Sequence, residues 1–120
     1  MKRLLLIPVL FLLIACGEVE KSHTETAEIV VESFYEKEFS ILKEYTTEQS
    51  YQAFRDVEQM FSALETGNSN FNVLQETQNG DIAWVKFTTA YEEQPETFRL
   101  IWENGQWKVT EIGMGEKAPF

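Results

Sequence analysis

Cysteine and histidine are nearly absent from this 120-residue chain, which contains one of each, Cys16 and His23. A single cysteine cannot form an intrachain disulfide, so side-chain packing must stabilise the fold, and nine Phe, four Tyr and three Trp can contribute to it. His23 lies in a polar segment without periodicity, where an isolated histidine is more often solvated than bound to a metal. We therefore expect no histidine in the folded domain, which excludes Ser-His-Asp catalysis, Cys-His catalysis and His-rich zinc sites.

Basic residues are also scarce, because ten Lys and Arg stand against twenty Asp and Glu and give a formal charge of −10. This charge repels phosphate backbones and anionic lipid headgroups, so we expect neither nucleic-acid binding nor electrostatic docking to a membrane. The excess of acidic residues is explained either by solubility or by a cationic partner. Solubility is the favoured explanation, since acidic residues are effective at keeping a protein in solution.

Long apolar runs are absent except at the N-terminus, where residues 4–14 follow Lys2 and Arg3. A transmembrane helix needs about 20 apolar residues, whereas a shorter run after basic residues is typical of a signal peptide. We therefore predict that residues 1–15 are a signal peptide that is removed. Without Lys2 and Arg3, eight basic residues remain and the formal charge becomes about −12.

The residues that close this run, Leu13-Ile14-Ala15-Cys16, resemble the lipobox of bacterial lipoproteins. The resemblance implies diacylglyceryl attachment to the sulfur of Cys16, cleavage between Ala15 and Cys16, and acylation of the new N-terminus, for example by palmitate. Two or three acyl chains, at about 0.8 kcal/mol per buried CH₂, anchor a protein stably to a bilayer. The alternative is an ordinary secretory signal with an incidental cysteine.

The lipobox predicts a location in the cell envelope, with the lipid bilayer as a partner through acylated Cys16. In a Gram-positive host the protein would lie on the outer face of the plasma membrane. In a Gram-negative host, Gly17 after the cysteine resembles the pattern of lipoproteins sent to the outer membrane, where the protein would face the periplasm.

Hydrophobic periodicity predicts two main helices after a polar tether, with residues 16–25 as lipidated cysteine and tether and 26–112 as one domain. The first helix has apolar residues 3.6 positions apart from Ala27 to Phe34. A short helical turn or bend follows at 39–45. Thr47 is a typical N-cap for a second helix that ends before Gly67. Residues 113–120 form a C-terminal tail.

The spacing changes to two from residue 71, which predicts four antiparallel strands at 71–77, 82–91, 98–103 and 106–112. Asn79-Gly80 and Asn104-Gly105 are typical two-residue hairpin turns. The second turn places Trp102 opposite Trp107 and Leu100 opposite Val109, and the first turn places Leu74 opposite Val85. Residues 91–96 are predicted as an acidic hairpin loop.

The element order and the closing segment Trp-Glu-Asn-Gly-Gln-Trp-Lys-Val at 102–109 resemble cystatin-like and nuclear-transport-factor-2-like domains. Together with the lipobox and tether, they resemble small bacterial lipoproteins of unknown function. The resemblance covers residues 26–112 and implies an α+β fold, with N-terminal helices packed on a curved four-stranded antiparallel sheet. Such a cone can hold a small apolar ligand at its mouth.

Two functional hypotheses follow, and neither is enzymatic. The first is a binding module for a small or lipidic molecule, with pocket candidates among the aromatic residues Tyr35, Tyr51, Phe61, Trp102 and Trp107. The second is a protein-interaction module, such as an assembly factor, inhibitor or immunity-type protein. It would form a homodimer or bind an envelope protein through the outer sheet face, with interface candidates Ile82, Trp84, Ile101 and Ile112.

An enzyme is the least favoured class, and we expect no cofactor and no metal. Isomerases related to this fold use an aspartate base and a hydrogen-bond donor such as tyrosine. The domain has two aspartates, Asp56 on the polar side of a helix and Asp81 in a hairpin turn. A catalytic pair of Glu58 with Tyr51 or Tyr35 remains an alternative.

The lipidation hypothesis makes a prediction at one residue. Cys16→Ser removes the sulfur that accepts the diacylglyceryl group, so labelling by radioactive fatty acid should be lost and the precursor should accumulate uncleaved. Labelling and precursor size are read together on a gel of whole cells. Normal cleavage and labelling of the variant would contradict the lipobox interpretation.

Overall fold

The computed structural model describes residues 20–60 and 67–120, so the predicted signal peptide, the lipobox with Cys16, and Phe61 lie outside the described residues. The described part contains three helices, α1 (His23–Tyr35), α2 (Phe39–Glu44) and α3 (Glu48–Met60). Four strands follow, β1 (Asn72–Asn79), β2 (Ile82–Thr89), β3 (Glu92–Glu103) and β4 (Gln106–Thr110). The helices pack against this sheet, which confirms the predicted α+β class. No helix in this part of the chain combines the length and apolar character needed to cross a membrane.

Helix α1 begins three residues before the predicted domain boundary, inside the segment predicted as tether. Its start is fixed by a capping box, in which the amide of Glu25 donates to the Ser22 hydroxyl and the amide of Ser22 donates to the Glu25 carboxylate. The Ser-x-x-Glu spacing was present in the sequence, but the helix was predicted from its apolar stripe, which starts only at Thr26 and Ala27.

His23 is therefore part of the folded domain, and the prediction of a solvated histidine in the tether is wrong. Its Nε2 lies 2.6 Å from Oε1 of Glu76 on β1. Its ring packs edge-on against Trp107 of β4, with 5.5 Å between ring centroids. Histidine-dependent catalysis and histidine-containing metal sites were excluded because no histidine was expected in the domain. Since His23 is in the domain, this reason for excluding them no longer applies.

The strands follow one another in the order β1-β2-β3-β4, an antiparallel meander. The final hairpin has the predicted register, with Trp102 opposite Trp107 and Leu100 opposite Val109. Asn104 and Gly105 both have positive φ, 54° and 80°, as a type I′ turn requires. This turn was therefore predicted correctly to the residue.

The first hairpin differs from the prediction by one turn position. Asn79 pairs with Ile82, so the two-residue loop is Gly80-Asp81 rather than Asn79-Gly80, and Glu76 instead of Leu74 lies opposite Val85. A glycine at the first loop position, with φ 66°, fits a type II′ turn, which suits a hairpin equally well. Leu74 falls at a register irregularity and is 46% exposed.

The predicted acidic loop at 91–96 is also wrong, because β3 already begins at Glu92 and the turn is Ala90-Tyr91. Pro95 was read as a loop residue. It is compatible with a strand here because β4 pairs only with Arg99–Glu103, which leaves the first half of β3 with a neighbour on one side.

The core lies between α1 and the inner face of the sheet, the face turned toward the helices. Helix α1 contributes its apolar stripe, and the sheet contributes alternate residues of β2, β3 and β4; the buried residues are Ala27, Val30, Val31, Phe34, Leu42, Ala83, Val85, Phe87, Leu100, Trp107 and Val109. The segment before α3 pairs with the free edge of β4, where the amide of Thr47 donates to the Val109 carbonyl. The apolar stripe of α1, Leu42 of α2 and one sheet face therefore enclose the core.

Leu100 and Leu74 allow a direct test of this register. Leu100 is fully buried, so Leu100→Ala should lower the free energy of unfolding by about 2 to 5 kcal/mol through lost burial and a residual void. Leu74→Ala, at an exposed position, should change it by less than about 0.5 kcal/mol. Urea unfolding followed by tryptophan fluorescence measures both values. Equal losses of unfolding free energy for the two variants would show that Leu74 lies in the core, as the register predicted from Asn79-Gly80 requires.

Candidate functional site

A cavity of about 310 Å³, here called the inner cavity, lies between α1, α3 and the first half of β3. Its wall is apolar and largely aromatic, formed by Val31, Phe34, Phe54, Val57 and Phe98. The phenyl rings of Phe34 and Phe54 lie 5.4 Å apart, and Phe54 meets Phe98 edge-on at 6.1 Å. Packed aromatic rings hold this wall in one shape, which suits the apolar part of a small molecule.

One end of the inner cavity is polar and acidic, and is formed by Tyr35, Glu92 and Glu96. The hydroxyl of Tyr35 donates to Oε2 of Glu92 at 3.3 Å, and its ring stacks on Tyr91 at 4.0 Å. Tyr91 in turn donates from its hydroxyl to the carbonyl of Gly67 at 2.8 Å. The two tyrosines therefore connect the end of α1 to the start of β3.

Glu96 faces the helices because it lies opposite Phe87, which is fully buried on the inner face. Partial burial raises the pKa of its carboxyl, and the nearby Glu92 raises the pKa further. Burial also raises the pKa of the Tyr35 phenol well above its usual range, together with the charges of Glu92 and Glu96. No basic side chain is found among the described residues that line this cavity.

A second concavity, here called the groove, adjoins the inner cavity and has a volume of about 300 Å³. It shares Phe54, Val57 and Phe98 with the inner cavity and extends to Val109 and Ile112. Val57, which is 42% exposed, lines both spaces. Helix α3 therefore forms a common wall of the two spaces.

Glu111 attaches the start of α3 to the end of β4. Its Oε1 accepts hydrogen bonds from the hydroxyls of Thr47, Ser50 and Thr110. Its own backbone amide and these three hydroxyls lower the pKa of the Glu111 carboxyl. The N-cap of α3 is thus held by the strand below it, while the rest of the helix spans the two concavities.

The predicted pocket residues separate in the structure. Tyr35 lines the inner cavity, but Tyr51 lines neither concavity, and its hydroxyl accepts a hydrogen bond from Arg55 at 3.1 Å. Trp102 and Trp107 meet edge-on at 5.4 Å, and Trp107 belongs to the core with His23 against it. Phe61 lies outside the described residues. Of the four candidates that the structure describes, Tyr35 lines the inner cavity and the other three do not.

The predicted interface residues are also divided. Ile82 and Ile101 lie opposite each other on the outer face, as expected, and both are half-buried. Trp84 is only 8% exposed, beside Arg99, whose Nε lies 3.2 Å from Oε2 of Glu116 in the C-terminal tail. Ile112 lies beyond the end of β4 and lines the groove instead. The outer face therefore exposes less apolar surface than the sequence predicted, and Ile112 does not extend it.

The catalytic pairs considered from the sequence, Glu58 with Tyr51 or Tyr35, do not come together at the inner cavity. Glu58 forms an ion pair with Lys37 at 3.8 Å and lines neither concavity, and Asp56 and Asp81 are exposed. Within residues 20–60 and 67–120, no three His, Cys, Asp or Glu side chains come together as a metal site would require.

No family model and no curated protein sequence matches this chain. Among solved structures, it is similar to the solution structure of RPA3114, a SEC-C motif containing protein from Rhodopseudomonas palustris. The two chains are 18% identical with a TM-score of 0.52, over 82% of this chain and 83% of that one. At this identity the likeness concerns the fold alone, and it agrees with an α+β arrangement.

Glu92 and Glu96 were missed as site residues because the segment around Pro95 was predicted as a loop. The signal that could have found Glu96 was the period of two, since Glu96, Phe98 and Leu100 share one face when the alternation is continued backward. An acidic residue at an inward position of a strand is unusual and indicates either a partner or a site.

The raised pKa of Glu96 gives a prediction for stability against pH. Because the folded state holds this proton more tightly than the unfolded state, stability falls as pH rises from the ordinary carboxyl pKa near 4.5 through the raised value. Glu96→Gln should therefore be more stable than the parent at pH 7, by up to about 1 kcal/mol after screening at this partly exposed site. The difference should shrink toward about pH 3.5.

Glu93→Gln is the matched control, since Glu93 is an exposed acid on the same strand and the charge change is equal. Urea unfolding at the two pH values measures all three proteins. A loss of stability in Glu96→Gln at pH 7, with no loss in the control, would show that the carboxylate has a stabilising partner.

Proposed function

We propose that this chain is a membrane-anchored bacterial lipoprotein whose domain is a non-enzymatic binding module of the cell envelope, holding a small or lipidic apolar ligand in the inner cavity. The observation that carries the proposal is the cavity of about 310 Å³ with an aromatic wall and one polar end. Small-molecule sites are typically concave, mostly apolar and at least about 300 Å³ in volume, with few polar groups that orient the ligand.

The groove supports the lipidic form of this ligand. It adjoins the inner cavity along Phe54, Val57 and Phe98 and offers about 300 Å³ of further apolar space. A ligand with an alkyl chain could place its head in one concavity and its chain in the other. The cystatin-like or nuclear-transport-factor-2-like assignment of the domain is part of the proposal, supported by helices that cover one face of an antiparallel meander.

The proposed anchor would keep the cavity close to a bilayer. Residues 17–22 separate Cys16 from the start of α1, and six extended residues span at most about 20 Å. On this proposal the protein lies at the outer membrane of a Gram-negative host or outside the plasma membrane of a Gram-positive one. Apolar molecules that leave or enter the membrane would then meet the cavity at short range.

The protein-interaction alternative has less support, because Trp84 is 8% exposed and Ile112 lies in the groove. One observation favours an enzyme, since Glu96 with its raised pKa and Tyr35 share a cavity, as a general base and a hydrogen-bond donor would. However, the Tyr35 hydroxyl already donates to Glu92, so it is not free to donate to a substrate oxygen. Binding without catalysis is therefore the function that we favour.

Val57 gives a test of the proposal because it lines both concavities. Val57→Trp should fill this space, whereas Gln59→Trp adds the same indole to an exposed position of the same helix. Each full-length chain is incubated with a lipid extract of bacterial envelopes and analysed by native mass spectrometry. We expect the parent and Gln59→Trp to retain a noncovalent small-molecule mass that Val57→Trp does not.

Two results would contradict the proposal. The first is retention of the same mass by Val57→Trp, which would place the ligand elsewhere. The second is the absence of a retained mass from all three proteins. Circular dichroism and urea unfolding of Val57→Trp establish that any loss of binding is not a loss of the fold.

A further inference from the structure

The polar end of the inner cavity indicates the chemistry of its ligand. Resting on the proposed function, we propose that the ligand carries a cationic amine beside an apolar or aromatic body, with the amine held by Glu92 and Glu96 next to Tyr35. Nothing in the fold or in the comparisons assigns such a site to this chain.

The carboxylates at this end of the cavity, exposed Glu92 and half-buried Glu96, have no cationic partner among the described residues that line it. Glu92 and Glu96 both line the space, and no lysine, arginine or histidine lines it with them in the described part of the chain. The ion pairs between described residues join Lys37 to Glu58, Arg99 to Glu116 and Lys108 to Glu103, and His23 contacts Glu76; none of these contacts involves Glu92 or Glu96. Within the described residues, the Tyr35 hydroxyl donates a hydrogen bond to Glu92.

An empty site with this composition is unfavourable. Two carboxylates repel each other, and the partial burial of Glu96 makes its charged form costly, as its raised pKa also indicates. A bound ammonium would reverse both effects, because it attracts the two carboxylates and supplies N–H donors to them. A neutral headgroup could donate a hydrogen bond but would leave the repulsion between the carboxylates, and an anionic headgroup would increase it.

The rest of the cavity decides between an organic and an inorganic cation. The described residues form no cluster of three metal-ligating side chains, whereas the wall next to the acid pair is made of Phe34, Phe54 and Phe98. A metal ion would leave this wall empty. An amine with an aromatic or alkyl body would fill it and could also place N–H groups near the aromatic rings.

The test uses three probes that share one ring, namely 2-phenylethylamine, 2-phenylethanol and phenylacetate. Each is titrated into the full-length chain in a nonionic detergent, with ligand-observed NMR as the readout and detergent without protein as the blank. We expect the amine to bind about 10- to 100-fold more tightly than the alcohol, as expected for hydrogen bonds to charged groups, and phenylacetate to bind most weakly.

Glu96→Gln should reduce the preference for the amine over the alcohol by about tenfold, with Glu92 keeping the remainder, and leave the alcohol's affinity unchanged. Glu93→Gln removes the same charge from an exposed position of β3, so it should keep the parent's preference. Since Glu96→Gln is expected to be at least as stable as the parent, a loss of amine binding would not come from unfolding. Val57→Trp should weaken the binding of the amine and the alcohol together.

The outcomes separate the two proposals. If the alcohol binds as tightly as the amine and Val57→Trp weakens it, the cavity is a binding site but the cationic ligand is wrong. An undiminished amine preference in Glu96→Gln would also overturn the inference. If none of the three probes binds to the parent, both the inference and the proposed cavity function are overturned.

Discussion

The register of the β3–β4 hairpin is the constraint on which the rest of the structure depends, because it decides which side chains of β3 face the helices. With Leu100 opposite Val109, the residues two and four positions earlier, Phe98 and Glu96, also face inward. A shift by one residue would turn Arg99 toward the core and expose Leu100. Only the observed register gives the sheet an apolar face against which the apolar stripe of α1 can pack. Because the turn at Asn104 and Gly105 sets this register, the core and the cavity both depend on it.

The unequal lengths of β3 and β4 explain why the same inner face carries both a packed core and open space. β3 has twelve residues and β4 has five, so the first half of β3 pairs with β2 alone. Where β4 is present, α1 and the sheet close on each other around Leu100 and Val109. Where it is absent, α3 and the first half of β3 leave room for the inner cavity. The groove lies beside this cavity, between α3, which is held at its start by Glu111, and the last residues of β4.

Local signals predicted the elements of this fold better than their ends or their contacts. The last hairpin followed from Asn104-Gly105 because positive φ is demanded at both positions, whereas at the first hairpin Asn79-Gly80 and Gly80-Asp81 both satisfy a two-residue turn. His23 was misplaced because its partners Glu76 and Trp107 are distant in sequence. Tyr35 was found by residue type alone. Glu96 was missed because residues 91–96 were predicted as a loop, although an edge strand tolerates the proline at position 95.

Glu96 at the end of the cavity is partly buried and its carboxyl pKa is raised, so we expect its charge to oppose folding at neutral pH, which makes its position informative. An inward position of β3 selected for packing alone would be apolar, as Phe98 and Leu100 are. Glu96 occupies such a position beside a second carboxylate, and the neighbouring Tyr35 and Tyr91 stack at 4.0 Å and fix the geometry around it. The core on the other half of the sheet supplies the stability that allows this arrangement. A packed aromatic wall that ends in two carboxylates without a cationic partner among the lining residues is better suited to receive a cation than to stabilise an empty fold.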